Sequence, residues 1–438
     1  MPRRDEKATQ QPRLWTPVFV GIVVLTLCAF TVGQGTNSGT SVYLAQRGAT
    51  ATLAGIGAFI FSGAAAATRI VCGPLADRIG RVVIITAGSI ILVCGTLGAA
   101  LLPDLNLFVL WRFLQGVGFA TVTTASATAA ADVLPAERLG EGIGYYGLGQ
   151  AIAMSFGPAL ALLLVSTDPS ENLYLGLSLF AVTIFIISFT CRYENNLDRL
   201  PETATYRRIA AQRAATRNAS SDDGARSDAA HDGEARIGKR LLDSVFEPKA
   251  LSGALPNMVI SPLFGFGIYF AGLFGTKLGV PAAGTFYTIS AISMIAIRLA
   301  SRSFMDRAPA FKLHTLAALS GLVFCALFFI AGQPGLSEGL RNGLFYVAGV
   351  PYGLCLGVVS PVNQAVCVKN SPAERWGAAN GLFFLLLDVG IGIAAVIWGI
   401  TNDQFGFLTT IMLAAILVAA SVGVAWLTYP ASDKRWKR

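Results

Sequence analysis

Polar positions are sparse along this 438-residue chain, and the intervals between them define its elements. Apolar runs of ~20 residues, enough to cross a ~30 Å hydrocarbon core as helix, recur from one end to the other. They predict membrane helices near 15–35, 50–72, 82–102, 106–131, 141–165, 172–191, 250–275, 281–301, 310–331, 341–368, 376–400 and 406–428. That makes twelve, six on each side of a hydrophilic stretch at 192–249. The first run is too long for a cleaved signal peptide, lacks a small-residue cleavage site and is followed by further spans. The expected fold is an all-α membrane protein: a six-helix bundle over 1–191, a cytoplasmic linker over 192–249 and a second six-helix bundle over 250–438. The middle of the linker, Asn218-Ala219-Ser220-Ser221-Asp222-Asp223-Gly224, has no apolar periodicity and reads as disordered. Leu241-Leu242-Asp243-Ser244-Val245-Phe246 fits a short interfacial helix.

The two halves echo each other. Ala67-Thr68-Arg69-Ile70 with Leu75-Ala76-Asp77-Arg78 returns 229 residues later as Ala296-Ile297-Arg298-Leu299 with Phe304-Met305-Asp306-Arg307. Leu134-Pro135-Ala136-Glu137-Arg138-Leu139-Gly140 returns after 237 residues as Ser371-Pro372-Ala373-Glu374-Arg375-Trp376-Gly377. Two similar halves in a membrane chain imply a pseudo-symmetric secondary transporter, with one site between halves that rock.

Composition agrees: hydrophobic residues are 54% and charged residues 13%, against about 25% charged in a soluble domain. With the N-terminus inside, the short inner segments hold Arg3, Arg4, Lys7, Arg13, Arg78, Arg81, Arg138, Arg302, Arg307, Lys312, Lys369, Arg375, Lys434, Arg435, Lys437 and Arg438. The outer segments hold only Arg47, Lys277 and Arg341, so the positive-inside rule places both termini in the cytoplasm, at the plasma membrane. The net charge of +8 follows from that rule and not from nucleic-acid affinity. Seven scattered cysteines without a Cys-x-x-Cys read as small packing residues, and His231 and His314 are too separate for a metal site. No cofactor or metal is expected.

Three motifs carry a resemblance. Gly73-Pro74-Leu75-Ala76-Asp77-Arg78-Ile79-Gly80-Arg81 lies between spans two and three, Arg112-Phe113-Leu114-Gln115-Gly116-Val117-Gly118 in span four, and Gly144, Gly157 and Pro158 in span five. The first resembles the signature loop of the major facilitator superfamily, the second its span-four element, and the third its antiporter pattern. The third departs from the pattern, because Ala153, Ala161 and Leu162 stand where glycine is expected. The resemblance implies alternating access, with the drug/proton antiporter branch as the nearest type.

In the signature loop, Gly73 permits a close helix approach. Asp77 is expected to present an anion toward the positive N-terminal end of span eleven, and Arg81 can reach Asp132. The resemblance implies a latch on the inner gate; a tight turn whose arginines set topology is the plainer alternative. In the second half Arg302 and Ala308-Pro309 break the pattern, so a latch through Asp306 and Arg307 is weaker. Pro135-Ala136-Glu137-Arg138 and Pro372-Ala373-Glu374-Arg375 read as helix starts.

Four charges fall inside predicted spans: Arg69, Arg112, Arg298 and Asp388. Intramembrane charges are costly and point to function by default. Arg69 and Arg298, about one turn from the inner surface, read as gate or structural residues. Arg112 is open between coupling or substrate contact and a structural bond. Asp388 fits a proton carrier, a contact for a cationic substrate or a helix–helix hydrogen bond. Gln34, Asn37, Ser38, Gln115, Gln150, Tyr269, Tyr352, Asn363, Gln364 and Asn380 complete the candidate site, with Phe264, Phe266, Phe383 and Phe384 as apolar walls.

The expected function is proton-coupled export of small amphipathic compounds by a monomeric multidrug-type antiporter, its partners being substrate, protons and lipid. An uptake symporter for a small organic solute shares the fold, and a non-transporting receptor is the alternative of another class. An enzyme would need a clustered nucleophile, base or metal set, which the sequence does not offer. Single cysteines in place of Ser220 and Arg435, in a background without native cysteines, are expected to label only after the membrane is permeabilised. Labelling in intact cells at either position contradicts the topology.

Overall fold

The computed structural model describes residues 13–135, 138–194, 200, 247–300, 308–372 and 376–434; at 73, 74, 77, 78, 139–141, 144, 155, 376–378 and 380 it describes the backbone alone. The expected interfacial helix at 241–246, most of the linker, and Asp306 and Arg307 lie outside the described residues.

The described chain is helical. The first half holds α1 (Pro17–Gln46), α2 (Ala51–Ile79), α3 (Arg81–Leu101), α4 (Phe108–Val133), α5 (Leu139–Val165) and α6 (Asn172–Thr190). The second holds α7 (Leu251–Tyr269), α8 (Ala271–Lys277), α9 (Thr285–Ala300), α10 (Ala310–Ala331), α11 (Glu338–Val347), α12 (Gly349–Asn370), α13 (Trp376–Thr428) and α14 (Ala431–Lys434). Starts are set locally: Thr16 accepts from the Phe19 N–H at 3.1 Å with Pro17 in the first turn, and Thr50 accepts from the Leu53 N–H at 3.2 Å.

Among the described residues, nine stretches are long and apolar enough to cross a membrane, and Thr285–Ala300 is a shorter apolar helix. Large apolar side chains such as Leu163, Leu179, Ile292 and Leu427 stand more than half exposed, a surface suited to lipid rather than water. The chain is a multi-pass membrane protein.

Several helix ends differ from the sequence-based intervals. Helix α1 runs to Gln46 and α2 to Ile79, because neither Gly33-Gln34-Gly35 nor Gly73-Pro74 breaks the helix. The break comes at Gly80, whose φ of 106° is a conformation that only glycine adopts freely. Arg69 therefore lies nearly three turns from the end of α2, not one. The two intervals predicted at 376–400 and 406–428 are two arms of α13, bent at Gly406 with φ 83°. The interval at 250–275 is divided between α7 and α8, and that at 341–368 between α11 and α12.

Packing within each half depends on small residues, since lipid offers no hydrophobic drive between helices. A Cβ at Gly116 of α4 would lie 2.4 Å from the Phe61 carbonyl oxygen of α2, so α4 and α2 meet backbone to backbone. The turn after Gly80 is fastened by Glu194, whose carboxylate accepts the Arg81 N–H at 2.7 Å and the Val82 N–H at 3.2 Å. Beneath it the Arg81 guanidinium meets Asp132 at 2.8 Å, both buried, and the Tyr193 hydroxyl donates to Asp132 at 3.2 Å.

The cores show where the halves meet. Phe286, Phe324, Phe328 and Phe345 of the second half belong to one continuous core with Tyr43, Leu44, Ala54 and Leu162 of the first. All four first-half residues lie at the end of the bundle where α2 begins, here called the Ala51 end. Toward Gly80 the first half has a separate core containing Phe19, Leu25, Ile85, Ala129 and Leu134. The second half has its own clusters at that level, around Cys367 and Phe383 and around Val366 and Tyr429. Among the described residues, the halves share a core at the Ala51 end and have separate ones at the other.

Gly116→Ala is expected to lower stability by about 1–3 kcal/mol, because the new methyl group must push a carbonyl away. Gly63→Ala, where a Cβ meets nothing within 4 Å, is expected to be neutral or slightly stabilising. Thermal unfolding of the purified variants checks the pair; equal melting temperatures contradict the packing account.

Candidate functional site: the seam between the halves

Helix α2 runs antiparallel to the first arm of α13, and the two touch in a descending ladder. At the top the Asp403 carboxylate accepts the Ala51 N–H at 3.1 Å, the Thr52 N–H at 2.7 Å and the Thr52 hydroxyl at 2.5 Å. One turn below, a Cβ at Gly55 would lie 2.3 Å from the Ala395 carbonyl oxygen, and one at Gly399 would lie 2.6 Å from that of Ala51. A Cβ at Gly392 would stand 3.0 Å from the Ser62 Cβ, and the Ser62 and Tyr269 hydroxyls are 3.4 Å apart. The ladder reaches Arg69, whose Nε lies 3.1 Å from Asp388 Oδ2. The contacting α2 positions, 51–52, 55, 62 and 69, recur at roughly one or two helical turns on one face.

A second seam pairs α5 with α9, and α1 leans on α7 and α8. The α5–α9 and α2–α13 seams exchange under the repeat of the two halves. Leu162 stands where the antiporter pattern expects glycine, and here the glycines are on the other side. A Cβ at Gly272 would lie 3.0 Å from the Leu162 side chain, and one at Gly284 would lie 3.7 Å from its Cβ. Gly157 keeps its small-residue role against α1, where a Cβ would lie 2.7 Å from the Thr31 carbonyl oxygen, and Pro158 is buried inside α5. Of Gly144 the backbone alone is described, within α5.

The Arg69–Asp388 pair is the charged centre of the seam. The Arg69 Nη1 also lies 3.4 Å from each of the Thr123 and Thr124 hydroxyls of α4, and its guanidinium is 5.8 Å from the Phe119 ring centroid. The side chains keep 23% and 20% of their exposure, so the pair is only partly enclosed by the protein. Beside it on the first half, the Tyr146 and Ser126 hydroxyls are 3.2 Å apart, with half-buried Gln150 next to them. This is the arrangement that can change with protonation. A neutral Asp388 loses its attraction for the guanidinium, whereas an ionised one removed from Arg69 is a carboxylate without a counter-charge in low dielectric.

Arg112, Asn37 and Gln115 come together in a different place, inside the first half. The Arg112 guanidinium donates to the Gly57 carbonyl at 3.2 Å, to Gln115 Oε1 at 2.8 Å and to Asn37 Oδ1 at 2.5 Å, and lies 4.6 Å from the Phe61 ring centroid. Gln115 in turn donates to the Gly95 carbonyl at 3.1 Å. Among the described residues no carboxylate pairs with Arg112, and only 1% of it is exposed. The cluster braces α1, α2, α3 and α4 and presents no open face in this conformation.

Asn363 is similarly internal, to the second half. It bonds to Asn257 at 3.3 Å and to His314 Nδ1 at 3.2 Å, and accepts from the Tyr429 hydroxyl; His314 Nε2 reaches the Ser421 hydroxyl at 3.2 Å. Arg298 in α9 keeps a buried Nε without a hydrogen-bond partner, and no described carboxylate pairs with it. Of Gly73, Asp77, Arg78 and Asn380 the backbone alone is described. Of the sequence-based latch, Gly80, Arg81 and Asp132 are fully described, and Arg81 reaches Asp132 within the first half, beside the Gly80 break.

Sequence reading named Arg69 and Asp388 separately and missed that they pair, because 319 residues lie between them. It also missed Asp403, Ser62, Thr123, Thr124 and Glu194. The signal for Asp403 was an acid at the turn between two predicted spans, which is common and says little by itself.

Comparison with known proteins agrees with this fold. The family model of the Major Facilitator Superfamily matches residues 22–340. The staphylopine export protein of Staphylococcus aureus (strain Mu50 / ATCC 700699) is 24% identical over 430 residues, covering 94% of this chain and 96% of that protein. A bacterial homolog of the human lysosomal transporter Spinster, in an inward-facing and unoccupied conformation, superposes with a TM-score of 0.68 at 15% identity, covering 96% of this chain and 98% of that one. A D-xylose–proton symporter gives the same TM-score at 14% identity, covering 96% and 99%. At such identities the two structures speak for the fold alone. Family match, full-length relative and two-halved helical architecture lead to one statement: the chain belongs to the major facilitator superfamily and is a membrane transporter, not an enzyme.

Proposed function

We propose that this transporter is a twelve-span, proton-coupled exporter of small amphipathic compounds in the plasma membrane. Its bundles at 1–191 and 250–438 alternate as a monomer around a central site, tethered by the 192–249 linker, with both termini cytoplasmic. In that topology the Ala51 end faces outward. The described conformation is then the one closed outside, and an exported compound is loaded from the cytoplasm.

One observation carries the coupling: the Arg69–Asp388 ion pair, the deepest charged contact of the seam, joins the two halves at 3.1 Å. Opening the outer end parts α2 from α13 and takes Asp388 away from Arg69. A buried carboxylate stripped of its partner is destabilising by several kcal/mol, and a proton from the outside relieves that. Closing the outer end returns Arg69 to Asp388, and the guanidinium expels the proton, now toward the cytoplasm. Substrate bound from inside supplies the differential binding that favours the outward-open state. The export direction is supported by the full-length likeness to an export protein.

The interior charge favours a narrower substrate class within this reading. Among the described residues, Arg69 on the seam is balanced by Asp388, whereas Arg298, in the last turn of α9, keeps a buried Nε without a hydrogen-bond partner and has no described carboxylate beside it. Such an excess of guanidinium suits a compound that carries a carboxylate or other anionic group, and disfavours purely cationic ones.

Proteoliposomes holding the full-length protein and an imposed pH gradient test the proposal against a panel of anionic, zwitterionic and cationic compounds. Wild type is expected to move an acid-bearing compound against proton flow. Asp388→Asn is expected to lose gradient-driven transport while keeping substrate exchange. Gradient coupling at the wild-type level in Asp388→Asn contradicts the carrier role, and co-transport of compound with protons favours the uptake symporter.

A further inference from the structure

The first two N–H groups of α2 are not satisfied by α2's own segment. Thr50, its N-cap, takes the Leu53 N–H at 3.2 Å, while the Ala51 and Thr52 N–H groups are taken at 3.1 and 2.7 Å by Asp403 of the opposite half. The Thr52 hydroxyl adds a third bond to the same carboxylate. A helix start with free N–H groups carries about half a positive charge, and a carboxylate there is held by both hydrogen bonds and field. Asp403 lies at the far end of the first arm of α13, three residues before the bend at Gly406. The glycines at 55 and 399 let the backbones approach closely enough for so short a side chain to reach.

We propose that Asp403 is the latch of the Ala51 end, a positioning residue that holds the two halves closed there by capping α2 in trans. The signature loop contains an acid in the inverse position: Asp77 stands near the end of α2, as Asp403 stands near the end of the first arm of α13. Because α2 and that arm run antiparallel, the acid ending each helix falls beside the start of the other. Asp403 meets the N-terminus of α2 in the described conformation, and Asp77 is placed to do the same for α13 when the opposite end closes. The Asp403 contact belongs to the state closed at the Ala51 end, so the acids alternate, and the balance between states depends on the difference in strength between the two caps. This rests on the alternating-access reading above, but not on protons, substrate or topology.

The test is a distance measurement across the Ala51 end of the full-length protein in lipid nanodiscs. Spin labels on Ser166→Cys, in the loop after α5, and Glu338→Cys, at the start of α11, report the separation of the halves in a cysteine-free background. Native Asp403 is expected to give a dominant short distance. Asp403→Ala is expected to raise the ratio of long to short distances about fivefold, equivalent to about 1 kcal/mol. Asp403→Asn, which can still accept one hydrogen bond but has no charge, is expected to fall between. Asp403→Glu is expected to return most of the short population, which a merely structural defect would not allow. An unchanged ratio in both Asp403→Ala and Asp403→Asn overturns the latch; if the alanine variant does not fold, the asparagine variant alone decides. The readout involves neither pH nor transport, so it can fail while proton coupling stands, and the reverse.

Discussion

The antiparallel contact of α2 with the first arm of α13 organises the rest of the molecule. Its existence depends on glycine, because side chains at 55 or 399 would strike the opposing backbone at 2.3 and 2.6 Å. With the backbones that close, short polar side chains can bridge the halves: Asp403 to the start of α2, Ser62 to Tyr269, and Arg69 to Asp388. In a bilayer such contacts need not compete with a hydrophobic drive between helices, since lipid solvates apolar faces as well as leucine does. A seam held by packing and a few polar bonds is strong enough to close and weak enough to part. The rings of Phe286, Phe324, Phe328 and Phe345 interlock within the second half, so they move with it as a unit.

The charges divide into two kinds by what they touch. Arg112 and the Arg81–Asp132 pair are buried within the first half, with partners that move with them, and they hold that half rigid. Arg69 and Asp388 pair across the two halves and stay partly exposed. Only the second kind changes its electrostatic environment when the halves part. The same distinction separates Asn363, bonded inside the second half, from Asp403, bonded across the seam.

What the sequence made legible follows the range of the interactions involved. Helix positions came from hydropathy, which is local, and the Arg81–Asp132 contact from a motif and a nearby helix end. The errors at helix ends are local too. The motif at 73–81 read as the connection between spans two and three, but the helix continues to Ile79 and stops where Gly80 takes a positive φ. Pairings across the halves were not legible. Arg69 and Asp388 each stood out as a charge in an apolar run, but their pairing depends on the register of two helices 319 residues apart. Asp403 looked like an ordinary loop acid, because a residue that caps a helix in trans leaves no trace in its own neighbourhood.

The central claim is that this seam must open and close for transport to occur. Positions 62 and 392 are suited to testing it, because a Cβ at Gly392 would lie 3.0 Å from that of Ser62 and neither residue carries charge. A Ser62→Cys, Gly392→Cys pair in a cysteine-free background should form a disulfide in the described conformation, small movements allowing normal bond geometry. With one compound from the panel as substrate, turnover of the oxidised, cross-linked protein should cease and return on reduction. Transport by the fully cross-linked protein at the rate of the reduced form would contradict the account.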